Sequence, residues 1–219
     1  MIEIPSPCSS IEDREDAIFI KTFAEVKSIR ALIHVTSIEN LRGIVEQKAV
    51  LCRSILDKNG LKYKPFDKLR LDRKSNYVNT SLSYFNFLMY YDEIKKAKPI
   101  VQLVINPEFL WKSGTLYCQV NAAKDGGARI KKGYQGFISM FDEGIEDRSV
   151  PQTRIGKPSR IPTSIQAEVL IQKGILLSDV KYVGVRNDRI HDMVLETGWQ
   201  GEVTVNPKIF KYRNEWIST

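Results

Sequence analysis

Apolar and polar positions follow two periods along the chain, and the period changes often. Pro99-Ile100-Val101-Gln102-Leu103-Val104-Ile105 is the clearest strand, an apolar and β-branched run bounded by Pro99 and by Asn106-Pro107. Ala31 to Thr36 has the same character. Ile165-Gln166-Ala167-Glu168-Val169-Leu170-Ile171 alternates with period two, which puts Ala167, Val169 and Ile171 on one face and Gln166 with Glu168 on the other. Shorter strand segments are predicted at 49–52, 77–80, 115–118, 175–177, 180–185 and 203–207. Helical spacing appears in Ile38, Leu41, Ile44 and Val45, which follow Ser37 as an N-cap candidate. Phe85, Leu88, Met89 and Ile94 mark a second helix, Asp188 to Thr197 a third, and Pro107 to Trp111 a short one with Pro in its first turn.

Residues 1–18, interrupted by Pro5, Pro7 and serines, read as an arm, and Ala17 to Arg30 as a short amphipathic element. Residues 53–75 and 142–163 carry charge and turn residues without a hydrophobic period, so both are predicted loops. No repeat or linker interrupts the rest. The pattern predicts a mixed α+β domain with many short strands.

Length and composition narrow the function classes. A chain of 219 residues with 42% hydrophobic and 27% charged residues can bury a core and is not disordered throughout. No apolar run approaches the roughly 18 residues of a membrane span, and the acidic N-terminus lacks the features of a signal peptide. Cys8, Cys52 and Cys118 are odd in number and have no metal-ligand spacing, and His34 and His191 are the two histidines. A cytoplasmic protein without a metal site or membrane partner is expected.

The net charge of +7 is unevenly distributed. Residues 61–74 carry six Lys or Arg against two Asp, residues 124–133 four against one, and residues 151–162 three against none. Basic charge gathered in loops suits a polyanion-binding face, and it equally suits the solvated loops of a basic protein.

The chemistry centres on Glu168. A carboxylate within an apolar strand is costly unless it faces water, a partner or a ligand, so Glu168 is either the solvent-facing residue of an edge strand or part of a site. Four stretches stand in order around it. They are Leu32 to Thr36 with Asn40-Leu41; Arg70-Leu71-Asp72 with Ser81-Leu82-Ser83-Tyr84-Phe85; Tyr117-Cys118 with Asn121-Ala122-Ala123; and Gln166 to Leu170. With Val183-Gly184-Val185 and Val203 to Phe210 as closing strands, this order resembles the DarT family of DNA ADP-ribosyltransferases, from about residue 31 to residue 212. Members of that family are toxins that modify bases of single-stranded DNA using NAD.

The resemblance implies an ADP-ribosyltransferase-like fold over residues 31–219, preceded by an N-terminal extension at 1–30. It implies NAD as substrate and Glu168 as the catalytic residue. Cleaving the bond between nicotinamide and ribose passes through oxocarbenium character, which a nearby carboxylate stabilises, and the same group can take a proton from the acceptor. Arg70 is the candidate to clamp the diphosphate or neutralise charge near the ribose, with Arg73 as its rival. His34, on a strand next to Thr36 in the cofactor-binding stretch, would hydrogen-bond the adenosine ribose while backbone groups hold nicotinamide, and Asn40 matches a nucleotide-contacting Asn. Ser81, Ser83, Tyr84 and Phe85 would form the nicotinamide side, with an aromatic ring stacked on the leaving group.

Asn121 would be a polar contact near the cleft, and Lys131, Lys132, Arg154, Lys157 and Arg160 would contact nucleic-acid phosphates. The implied partners are single-stranded DNA and a macrodomain antitoxin of the DarG kind, in a toxin–antitoxin or phage-defence pair. Asn86 stands where family members often carry a proline, and residues 1–30 have no family counterpart. RNA or protein as acceptor stays open, as does a nucleic-acid-binding module with a degenerate site.

Overall fold

The computed structural model describes residues 10–67, 69–147 and 150–211. In chain order the strands are β1 (Leu32–Ser37), β2 (Ala49–Leu51), β3 (Tyr77–Leu82), β4 (Ile100–Ile105), β5 (Leu116–Cys118) and β6 (Ile130–Lys132). They continue as β7 (Gly144–Asp147), β8 (Val150–Thr153), β9 (Glu168–Gln172), β10 (Gly174–Leu176), β11 (Val180–Val185) and β12 (Glu202–Val205). The helices are α1 (Ile11–Val26), α2 (Ile38–Gln47), α3 (Arg53–Lys58), α4 (Phe87–Lys95), α5 (Gly133–Ile138) and α6 (Asp188–Leu195).

Eight strands form one sheet in the order β12-β11-β4-β1-β3-β9-β5-β6. Its ladders are antiparallel except between β11 and β12. β4 is buried along its whole length because strands flank it on both edges and side chains cover both faces. Val101, Leu103 and Ile105 enter one core with Leu32, Leu41 and Val169; Ile100 and Val104 enter a second with Ile33, Phe85, Phe87 and Phe210. This is the mixed, short-stranded fold that the sequence predicts.

Local signals account for the element ends. Ser37 accepts from the Asn40 backbone N–H at 3.2 Å, fixing the start of α2 directly after β1. Asn106 and Pro107 turn the chain out of β4 into a short 3₁₀ turn.

Four expectations need correction. Helix α1 begins at Ile11, capped by Ser10, rather than at Ala17, and it buries Ile20 and Ala24 while Phe23 packs on Phe137 and Phe141. Residues 1–9 of the expected arm lie outside the described residues. The expected loop at 53–75 opens with α3, a helix with no buried residue and hence no hydrophobic period. The expected loop at 142–163 contains the β7–β8 hairpin, whose alternation is obscured because Asp147 and Gln152 are buried polar residues. Strand β9 starts at Glu168, not Ile165, and lies inside the sheet between β3 and β5, so Glu168 is not an edge-strand residue.

Candidate active site

The cleft arises from a split in the sheet. β1 pairs with β4 at six positions, from Leu32↔Ile105 to Ser37↔Ile100, but with β3 only at Leu32↔Leu82 and Ile33↔Ser81. Beyond those pairs β1 and β3 part, and a cleft of about 310 Å³ opens between them. His34 and Thr36 of β1, Asn79 and Ser81 of β3, and Glu168 of β9 all line it. In place of a ladder bond, His34 Nδ1 donates to the Asn79 carbonyl at 3.0 Å. A carbonyl only accepts, so Nδ1 carries the proton and Nε2 is left as an acceptor. Burial lowers the His34 pKa, and the ring is neutral at pH 7.

Glu168 lies opposite Ser81 on one side and Cys118 on the other, and it is 4% exposed. Three donors hold its carboxylate: Asn79 Nδ2 at 2.9 Å and the Ala122 N–H at 3.3 Å on Oε2, and Asn121 Nδ2 at 3.3 Å on Oε1. The Asn121 side chain also accepts from the Ala123 N–H at 3.0 Å, a local turn that supports this donor pair. Burial raises the Glu168 pKa to about 7. The Ala122 and Asn79 hydrogen bonds oppose that rise, Asp72 adds to it, and Arg70 pulls it down. The result is a carboxyl group poised between its two forms near neutral pH.

Arg70 is the cation beside it. The residue adopts left-handed backbone (φ 45°) in a turn closed by the Arg73 N–H on the Arg70 carbonyl at 3.0 Å. Its guanidinium pairs with buried Asp72 at 3.2 Å and donates to Asn79 Oδ1 at 2.6 Å, to the Tyr77 carbonyl at 3.4 Å and to the Lys74 carbonyl. Asp72 shapes the same loop by accepting from the Lys74 N–H at 3.1 Å. Gly127 (φ 90°) packs the loop after β5 against this one: a Cβ there would lie 2.7 Å from the Asp72 carbonyl. Arg73, by contrast, is exposed and does not line the cleft.

The other expected residues divide. Thr36, Asn40 and Ser81 line the cleft. Asn40 is committed to structure: its amide donates to the Lys64 carbonyl at 2.9 Å and to Thr36 Oγ1 at 3.2 Å, and it accepts from the Lys64 N–H at 2.8 Å. It therefore pins the loop after α3 to the start of α2. Ser83, Tyr84 and Phe85 do not line the cleft. Phe85 is wholly buried in the second core against Phe87, Tyr90 and Phe210, and Tyr84 donates to the Lys211 carbonyl. The aromatic wall is instead Phe66 and Tyr90, stacked edge to face with centroids 5.1 Å apart.

Among the basic residues, Lys131, Lys132 and Arg160 are exposed, the first two on edge strand β6. Arg154 and Lys157 are not free phosphate ligands. Arg154 donates to the carbonyls of Pro158, Ser159 and Ile161 and lies over the Phe141 ring, and buried Lys157 donates to the Thr163 carbonyl. Burial lowers the Lys157 pKa to about 8. Both side chains hold the segment before β9 together.

Sequence reasoning missed Asn79 and Tyr90, and it gave no site role to Asp72, quoted only beside Arg70, or to Asn86, noted only as a departure from the family. The readable signal for Asn79 was its alternation with Ser81, two polar residues on one face of a strand otherwise fit for the core. Asn86 caps α4 through Oδ1, but its Nδ2 is buried beside the cleft without a partner among the described residues, as is Arg70 Nε. Unpartnered buried donors suit a ligand rich in oxygen acceptors, as a dinucleotide is.

The split mixed sheet thus brings a buried carboxylate and an arginine together in one cleft. The family model for DarT, described as ssDNA thymidine ADP-ribosyltransferase, matches residues 33–212, and the chain belongs to that family. The fold is similar to that of Thermus sp. 2.9 DarT in complex with NAD+ (TM-score 0.60, 17% identity, 83% of this chain and 98% of that one). It is also similar to the same protein in complex with ADP-ribosylated ssDNA (TM-score 0.59, 15% identity, 84% and 97%). A third likeness is to Thermosipho africanus DarTG in complex with ADP-ribose (TM-score 0.59, 15% identity, 83% and 51%). No curated protein sequence matches the chain.

Proposed function

We propose that this chain transfers ADP-ribose from NAD to thymidine in single-stranded DNA, with Glu168 as the catalytic residue. The observation that carries this reading is the buried Glu168 carboxyl, held by three donors in the cleft with a pKa near 7. In the reaction the bond between ribose C1′ and nicotinamide breaks, and its electron pair leaves with nicotinamide. A base nitrogen then bonds to C1′. Thymine in a nucleoside carries one ring N–H, so that nitrogen must lose its proton, and ionised Glu168 is placed to take it. Ionised Glu168 also stabilises positive charge on the ribose. Arg70 supplies the compensating cation near the diphosphate, Phe66 and Tyr90 offer the aromatic wall for nicotinamide, and His34 Nε2 can accept from a ribose hydroxyl.

The biological role proposed is that of a toxin, controlled by a macrodomain antitoxin that removes the modification. The decisive experiment incubates the protein with NAD and separate pools of single-stranded DNA, RNA and protein, followed by mass spectrometry. One ADP-ribose gained on thymidine, absent with Glu168→Gln, is expected. Gain only on RNA or protein would overturn the acceptor, and tight nucleic-acid binding with no transfer would overturn the enzymatic reading.

Because the ionised form acts, kcat/KM for NAD should rise about tenfold per pH unit below 7 and level off above about 8. A profile flat between pH 5.5 and 8 would remove Glu168 as the titrating group. On the DNA side, Lys131→Glu with Lys132→Glu should weaken binding of single-stranded oligonucleotides. The slope of log affinity against log salt should fall by about 0.7 for each phosphate no longer neutralised. Arg154→Ala should lower the melting temperature and leave that slope unchanged, since its guanidinium is spent on backbone carbonyls.

A further inference from the structure

We propose that Asn79 is a positioning residue for the transfer reaction, its side-chain amide holding Arg70 and Glu168 in place while keeping the two charges from pairing directly. The inference rests on the reading of Glu168 and Arg70 given above. Asn79 Oδ1 accepts from Arg70 Nη1 at 2.6 Å, and Nδ2 donates to Glu168 Oε2 at 2.9 Å. The same Nδ2 lies 3.4 Å from Asp72 Oδ2, and the backbone carbonyl accepts from His34 Nδ1 at 3.0 Å. One residue thus touches each of these four ionisable groups.

No ion pair within 4.0 Å joins Arg70 to Glu168 among the described residues; the partner of Arg70 is Asp72. An amide, with an acceptor and a donor on one short planar group, meets both demands of the position. A carboxylate would suit Arg70 but repel Glu168, and an aliphatic side chain would satisfy neither. Direct contact with the guanidinium would occupy the oxygens of Glu168 and weaken it as a base.

The other groups facing Glu168 cannot take over this task. Asn121 and Ala122 donate from the connection after β5 but make no hydrogen bond to Arg70. The Cys118 thiol of β5 is pushed up to about 11, chiefly by burial, and the Tyr90 phenol of α4 is pushed up as well, so both are neutral at pH 7. Asp72 is the remaining acid, and it is engaged with Arg70.

The test follows the Glu168 carboxyl by NMR on the full chain carrying 13C-labelled glutamate, its signal identified by loss in Glu168→Gln. Asn79→Asp keeps the size of the side chain, removes the donor and adds a charge. The titration midpoint of Glu168 should rise by at least one pH unit. With NAD and single-stranded DNA at pH 7, kcat for nicotinamide release should fall tenfold or more, with KM within threefold of wild type and part of the rate recovered at higher pH.

If Asn79→Asp does not fold, Asn79→Ser, too short to span both groups, should lower kcat equally at near-constant KM. An unchanged midpoint with near wild-type turnover would overturn the proposal, as would a loss confined to KM or to melting temperature. The titration needs no turnover. A wild-type chain that releases no nicotinamide would therefore remove the reading of the reaction, while the Asn79 contact would still stand or fall on the midpoint.

Discussion

Glu168→Gln is expected to lower ADP-ribose transfer by about a thousandfold or more while leaving NAD binding largely intact. The substitution keeps the shape of the side chain and removes its ability to carry charge or accept a proton. The measurement is nicotinamide release under single-turnover conditions; retention of a tenth of the wild-type rate would exclude Glu168 from the chemistry.

The same variant should change stability in the opposite sense as pH rises. The folded carboxyl titrates at about 7 against 4.5 for the free group, because burial favours its neutral form. Between those values the folded chain holds a proton that the unfolded chain has lost, so wild-type stability falls with rising pH, by about 1.4 kcal/mol per unit. The effect is absent below 4.5 and complete above 7. Gln has no such titration. Relative to wild type, Glu168→Gln should therefore gain up to about 3 kcal/mol between pH 5 and pH 7.5, whatever its constant offset. Denaturant melts at the two values of pH measure this. A wild type that holds its stability across the window would mean that burial does not raise the carboxyl pKa. The site would thus keep an ionisable group where a neutral one is more stable, a trade common at active sites.

What the sequence made legible follows from where each signal is written. β4 is readable because both its faces are buried and all but one of its residues are apolar, and β1 and β11 are readable from shorter apolar, β-branched stretches. The Ser37 cap is readable because its chemistry is local. α1 starts earlier than the pattern implies because Pro5, Pro7 and the serines make residues 1–18 read as an arm, yet the Ser10 cap and the acidic first turn are what start the helix. Tyr84 and Phe85 show the limit of inference from residue type: an aromatic pair next to a site motif is as good a core as a stacking wall, and here it is core. Arg154 and Lys157 show the same for charge, since composition cannot tell which cations are consumed by backbone carbonyls. Asn79 and Tyr90 gain their importance from the parting of β1 and β3, a tertiary event with no sequence mark of its own.

Arg70→Ala is expected to damage both stability and catalysis, and the comparison with Arg73→Ala separates the two arginines. Removing the Arg70 guanidinium leaves Asp72, which is 3% exposed, without its counter-charge. It also takes donors from Asn79 Oδ1 and from the carbonyls of Lys74 and Tyr77. Breaking a buried pair from one side costs about 3 kcal/mol or more, which for a chain of this size lowers the melting temperature by about 6–12 °C. Turnover should fall by about a hundredfold, since a cation aimed at developing or transferred charge is lost. Arg70→Lys should rescue little: a point charge with three donors cannot reproduce the planar fork that reaches Asp72 and Asn79 together. Arg73→Ala, at an exposed turn position outside the cleft, should stay within about 0.5 kcal/mol of wild type and keep its rate. Thermal melts and nicotinamide release on the three variants decide between them. If Arg73→Ala loses the rate while Arg70→Ala loses only stability, Arg70 is a loop anchor and Arg73 is the arginine that meets the dinucleotide.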